Sequence, residues 1–90
     1  DTTVTIKWNT VDGATSYNAQ ISSDISFNNL IIDSINIQSD TLYVDGLDKN
    51  QTYYWRISAN GGSSSGIWGP IRKFKCFIRH RSSMKNYYKQ

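Results

Sequence analysis

The chain has 90 residues, which is the size of one small domain and too short for two. It contains one Cys, one His and no Glu, and these counts exclude an intramolecular disulfide and a zinc site built from Cys and His ligands. With 38% hydrophobic and 19% charged residues, the composition is that of a globular protein. No stretch approaches the roughly 20 apolar residues that a membrane-spanning helix needs.

The net charge of +3 conceals an asymmetry along the chain. Residues 1–70 hold three basic and seven acidic side chains, a net charge of −4, whereas residues 71–90 hold seven basic side chains and no acidic one. The composition therefore predicts an acidic folded body followed by a basic tail, so the overall positive charge says little about the folded part.

The first half of the chain predicts short strands. Residues 3–8 alternate strictly between apolar and polar side chains, which is typical of a half-buried strand. The alternation returns in residues 17–21, after a turn signal at Asp12 and Gly13. The next apolar run, residues 30–32, predicts either an edge strand that changes sheets or a loop that fills the core.

The second half continues this pattern. Residues 41–44 alternate again, and residues 52–60 form the longest predicted strand. Residues 61–66 contain only Gly and Ser, which predicts a flexible loop, and residues 67–74 predict a last strand that a Gly-Pro pair interrupts.

No segment shows the apolar spacing of a helix, so we predict an all-β fold, an antiparallel sandwich of two packed sheets. Its core lies between the inward faces of the sheets, and large aromatic side chains help so small a domain to reach stability without disulfides. The predicted core residues are Trp8, Tyr17, Ile21, Leu42, Tyr53, Trp55, Ile57 and Phe74.

In this order, the strands resemble those of a fibronectin type III domain. The resemblance rests on the segments VTIKW (4–8), GATSY (13–17), TYYWRISA (52–59) and WGPIRKF (68–74), together with Leu47. It is closest to the variant found in secreted bacterial multidomain proteins, and it implies an immunoglobulin-like sandwich in which strands A, B and E face strands C′, C, F and G.

The resemblance covers residues 3–75, so we assign residues 1–75 to the domain and residues 76–90 to the tail. Because the chain starts almost at strand B, we expect strand A to be short or missing: either the chain is a piece of a longer one, or the tail replaces strand A. The resemblance also implies a tyrosine corner, in which the hydroxyl of Tyr53 bonds to the backbone within residues 47–49.

The sequence offers no catalytic set, cofactor motif or metal site, and we predict that the protein is not an enzyme. His80 lies in the tail without a nearby acid to orient it. Cys76 is interpreted as an incidental residue beyond the last strand, with a disulfide between two chains as the alternative. Residues 61–66 open no helix that could bind phosphate, and residues 50–52 match a glycosylation sequon that is common by chance.

Three aromatic side chains are candidates for a binding surface. Tyr43 and Tyr54 point outward from their strands and could contact a glycan or a protein, although such residues also stabilise sheets. Trp68 could stack on Arg56 or on Arg72, which is more often packing than binding.

The basic tail has three interpretations: a linker into another domain, a non-native extension, or a polyanion-binding segment in which Tyr87 and Tyr88 stack on bases. The abrupt loss of the fibronectin-like pattern favours the first two, so nucleic acid is an unlikely partner.

From these observations we predict a non-catalytic extracellular module without cofactors, which acts as a spacer or a protein-interaction domain in a larger secreted or cell-surface protein. Its partners are neighbouring domains and, in the alternative function, protein or glycan ligands. The isolated domain is expected to be a monomer.

Overall fold

The computed structural model describes residues 3–62 and 65–76. These residues form two antiparallel sheets and contain no helix, so none of them belongs to a helix that could cross a membrane. The predicted all-β antiparallel sandwich is therefore confirmed. The strands are β1 (Val4–Lys7), β2 (Ser16–Ser22), β3 (Leu30–Ile37), β4 (Thr41–Val44), β5 (Thr52–Asn60) and β6 (Arg72–Lys75).

The strand order matches the expected topology. One sheet pairs β1 with β4, and the other has the order β3-β2-β5-β6. In the letters of the fibronectin type III fold, these are strands B and E in one sheet and strands C′, C, F and G in the other. Within residues 3–62 and 65–76, β4 is the strand that pairs with β1.

The strand β3 is longer than the apolar run at residues 30–32 predicted. It spans eight residues and ends the four-stranded sheet, where it pairs with β2 through two register shifts. Ile32 and Ser34 lie opposite Ile21 and Ala19 of β2, whose side chains are buried, so Asp33, which lies between them, faces outward. Because Ser34 faces the core and Ile35 faces outward, the strand lacks the alternation by which a strand is recognised from sequence.

The core holds most of the residues that the alternation placed inward. Leu42 and Ile57 pack against the buried core but are only partly buried themselves. Leu42 lies in an edge strand, and Ile57 lines an opening between the sheets. The fully buried cluster consists of Val4, Ile6, Trp8, Tyr17, Ile21, Val44, Leu47, Tyr53, Trp55, Ala59, Phe74 and Cys76.

Two tyrosine hydroxyls fix the chain at the ends of strands. The hydroxyl of Tyr53 accepts a hydrogen bond from the backbone N–H of Asp48 at 2.8 Å, which is the tyrosine corner that the resemblance implies. The hydroxyl of Tyr17 accepts one from the N–H of Val11 at 2.9 Å, a second such contact that the sequence analysis did not predict. Each ring is buried while its hydroxyl holds a turn in place.

Two loops meet at one end of the sandwich through their backbones. Gly62 has a φ of +82°, and a Cβ atom at this position would lie 2.6 Å from the carbonyl oxygen of Asp12. A Cβ atom on Gly61 would lie 2.8 Å from the carbonyl oxygen of Gly13. Only glycine allows this approach, so the loop after β5 packs directly on the turn before β2.

Cys76 lies directly beyond the last strand, as the sequence predicted, but its interpretation as an incidental residue is wrong. Its side chain is fully buried, and its backbone exchanges hydrogen bonds with Asn50 and Gln51, the two residues before β5, so contacts between the two segments continue past Lys75. The sequence carried one signal for the burial of Cys76: Phe74, two residues earlier, points into the core. Residues 77–90, including His80, lie outside the described residues, and the assignment of a tail remains a prediction.

We predict that Tyr53→Phe lowers the free energy of unfolding by about 1 kcal/mol, because the N–H of Asp48 loses its partner. Urea denaturation followed by circular dichroism measures this change. The matched control is Tyr43→Phe, which removes a hydroxyl from a side chain that is 73% exposed and should leave the stability unchanged. Equal stabilities of the two variants would contradict the proposed role of the corner.

We also predict that Cys76 reacts slowly with iodoacetamide in the folded protein. Burial raises the pKa of this thiol, and the nearby charge of Asp48 raises it further, so the reactive thiolate is scarce at neutral pH. Alkylation should accelerate only above the pH at which an exposed Cys reacts. Mass spectrometry of the folded chain and of the chain unfolded in guanidinium gives the comparison; equal rates would show that the thiol is accessible.

Candidate functional site

The guanidinium group of Arg56 stacks on two aromatic rings at the outer face of the four-stranded sheet. Its central carbon lies 4.2 Å from the ring centroid of Phe27 and 4.6 Å from that of Trp68. Its Nε and Nη2 groups donate hydrogen bonds to Oε1 of Gln20 at 2.9 and 2.7 Å. We call this group of four residues the Arg56 stack. It combines cation–π attraction with two hydrogen bonds from one guanidinium group to one oxygen atom.

The loop between β2 and β3 holds Phe27 in place over Arg56. Phe27 has a φ of +57°. The carboxylate of Asp24 accepts hydrogen bonds from the hydroxyl of Ser22 at 2.8 Å and from the backbone N–H groups of Asn28 and Asn29 at 3.1 and 2.9 Å. The bond from Ser22, followed by those from the backbone, lowers the pKa of Asp24. The carboxylate therefore stays charged well below neutral pH, and the loop keeps these bonds.

Trp68 lies on the other side of Arg56, where backbone contacts with β5 hold it in place. Trp68 forms an isolated antiparallel bridge with Ser58, and the N–H of Gly69 donates to the carbonyl of Ile57 at 2.8 Å. The segment after the Gly/Ser loop thus runs beside β5 before β6 begins. The interruption that Gly69 and Pro70 predicted corresponds to the short gap between this bridge and β6.

A groove lies beside the Arg56 stack, on the same face. We call it the Tyr54 groove; it has a volume of about 340 Å³. Aliphatic side chains form part of its wall, and the charged residues that line it are both cations. Such a surface suits an apolar partner that carries negative charge. The lining residues are Ile25, Tyr54, Ile71, Arg72 and Lys73.

An opening of about 270 Å³ lies between the two sheets, close to the Gly/Ser loop. Its wall is mainly aromatic and aliphatic and includes Trp8, Tyr17 and Trp55. The indole N–H of Trp8 is buried and has no acceptor among the described residues. The opening explains why Ile57, in the middle of the longest strand, is not fully buried.

The structure divides the three predicted binding residues between two surfaces. Tyr54 and Trp68 lie on the outer face of the four-stranded sheet, whereas Tyr43 lies on β4 of the other sheet. Of the two partners that the sequence offered for Trp68, the structure selects Arg56. Phe27 and Gln20 were missed; the only signal was an isolated aromatic residue in the polar segment between two strands.

Two charged groups of this face have structural roles, since Asp24 closes the loop and Arg56 forms the stack. In the described part of the chain, no group of three or more His, Cys, Asp or Glu side chains is arranged to hold a metal ion. The Lys7–Asp40 ion pair, at 2.9 Å, links β1 to the segment before β4, and its hydrogen bond lowers the pKa of Asp40. The face offers stacking, apolar and cationic surfaces, which are the elements of binding.

We predict that Arg56→Lys lowers the free energy of unfolding by about 1 to 2 kcal/mol, because Lys cannot stack flat on the rings or donate two hydrogen bonds to Gln20. Denaturation followed by circular dichroism tests this. Lys49→Ala, which changes an exposed residue between β4 and β5, is the control and should have no effect. An Arg56→Lys variant as stable as the parent would show that the charge alone suffices.

Comparisons with known proteins bear on the fold. A scan against protein-family models and a search among curated proteins find no match. Among solved structures, the chain is similar to a Fn3-like protein from Clostridium thermocellum, with 22% sequence identity and a TM-score of 0.53. The similarity covers 99% of this chain and 92% of that one. The resemblance found in the sequence is confirmed at the level of the fold: the chain forms a fibronectin type III-like sandwich.

Proposed function

We propose that the protein is a non-catalytic module of a larger secreted or cell-surface protein, where it serves as a spacer or a protein-interaction domain. The observation that carries this proposal is that polar side chains on the outer face of the four-stranded sheet hydrogen-bond to one another. Beyond the Arg56 stack, Asn60 donates to Ser16 and Asn18 at 2.9 and 3.1 Å, and Asn18 donates to Ser58 at 3.2 Å.

A polar network whose members bond to one another is rigid and leaves few groups for chemistry on a substrate. Rigidity is what a spacer requires, since it must hold its neighbours at a fixed distance. Sandwiches of this architecture recur in cell-surface domains, which supports the proposed location. Fold alone does not determine function, so this support is by analogy.

The Tyr54 groove favours the interaction role over the purely passive one. Ile71 is 45% exposed although it borders the groove, and Lys73 adds positive charge beside it. Exposed aliphatic side chains favour a protein over a glycan as the partner, because a sugar offers few apolar groups to cover them. The alternative of polyanion binding depends mainly on residues 77–90, which lie outside the described residues, and remains a prediction.

Protease shaving of intact cells that express the parent protein tests this proposal. We expect an antibody against the domain to detect a band much larger than the 90-residue chain, and the band should disappear when intact cells are treated with protease. A cytosolic protein, probed on the same blot, should survive the treatment. A protected band, or one no larger than the chain itself, would overturn the proposal.

A further inference from the structure

We propose that copies of this chain associate edge to edge, with β6 of one copy pairing with β3 of the next. These are the two terminal strands of the four-stranded sheet. A terminal strand is a template on which another strand can pair through backbone hydrogen bonds. The inference deepens the proposed interaction role, on which it rests, by naming a second copy as the partner.

The topology gives this contact the right direction. Three successive antiparallel pairings separate β3 from β6, so the two terminal strands run in opposite directions. A second copy shifted sideways without rotation therefore brings its β3 alongside β6 in antiparallel orientation. The core face and the outer face of both sheets then stay on the same sides, and the sheet continues from one copy into the next.

The outward side chains of the two strands match each other. On β3, Asp33 lies opposite Gln20, whose side chain bonds to Arg56 on the outer face, so Asp33 faces outward. Ile31 and Ile35 flank this regular stretch, at the two register shifts of the strand. Ile31 and Ile35 are 45% and 69% exposed. Their exposure is unusual for a terminal strand, since aliphatic residues at such a position invite pairing.

On β6, Lys73 lies opposite Tyr54 and shares its outward face, and Ile71 lines the same groove. If Lys73 pairs with Asp33 of the next copy, the antiparallel register brings Ile71, the residue before β6, close to Ile35 at the register shift of β3. The same register sets Phe74 opposite Ile32 on the core face. The register also sets Lys75 opposite Ile31, where the aliphatic stem of the lysine can cover the isoleucine. One register thus pairs the charges of Asp33 and Lys73 and brings both sets of apolar side chains together.

Charge also decides which edges can meet. Two β6 strands side by side would bring Arg72, Lys73 and Lys75 against the same cations, and two β3 strands would bring Asp33 against its own copy. Only the unlike edges attract, so the charges select β3 with β6 and disfavour the symmetric pairs. Because such a contact is head-to-tail, each copy keeps one edge for a further partner, and the assembly stays open-ended.

Sedimentation velocity on the full chain, from micromolar to millimolar concentration, tests the proposal. We expect the average mass to rise continuously without stopping at a dimer, and the association to weaken with added salt. The sequence predicts a monomer instead, and a chain that stays monomeric over the whole range would overturn the proposal. That result would leave the shaving experiment, and with it the proposed location and spacer role, unaffected.

Charge reversal identifies the edges. We expect Asp33→Lys or Lys73→Asp to weaken association by about tenfold, since each sets like charges opposite each other. An equimolar mixture of the two variants restores the attraction at every contact and should associate like the parent. Asp12→Lys and Lys49→Asp make the same charge changes away from both edges and should associate like the parent.

Asp33 and Lys73 are both exposed, and circular dichroism verifies that the variants fold. If Asp33→Lys does not fold, Asp33→Asn, which removes the charge alone, provides the comparison. Association that none of these changes affects, or that the mixture does not restore, would place the contact elsewhere and overturn the proposal.

Discussion

The register between β2 and β5 is the constraint on which the rest of the structure depends. Seven residue pairs, from Ser16 opposite Asn60 to Ser22 opposite Tyr54, join the two central strands of the larger sheet. This register sets Ile21 beside Trp55 on the core side and Gln20 beside Arg56 on the outer side. A slip of one residue would turn every side chain of one strand to the opposite face. The buried cluster and the Arg56 stack are thus two consequences of the same pairing.

The two faces of β5 were predictable because its alternation is regular over nine residues. Tyr53, Trp55, Ile57 and Ala59 face the core, and the residues that alternate with them carry the outer face. The strand β3 was less predictable because Ile35 faces outward while Ser34 faces the core, so apolar character no longer marks the inner side. The faces of β3 are set by its pairing with β2, and the local sequence pattern of β3 does not contain that information.

The candidate site was predictable only in part, for a related reason. Alternation shows that Tyr43 and Tyr54 point outward, but it does not show that they belong to different sheets. For Trp68, the sequence left two arginines as partners. The structure explains the outcome, since Arg72 lies opposite the buried Trp55 whereas Arg56 lies in the outward row. The contribution of Phe27 depends on how Asp24 closes its loop, which no periodicity indicates.

The glycine contacts between the loop after β5 and the turn before β2 bear on how this scaffold could be re-engineered. Loops at one end of a sandwich are usual places for grafting new sequences, because each is assumed to vary on its own. Here Gly61 and Gly62 seat one loop on the backbone of the other, so a graft that replaces these glycines would displace Asp12 and Gly13 as well. The two loops form a single graft site. A library that diversifies this end would have to keep Gly13, Gly61 and Gly62 constant and vary the residues around them.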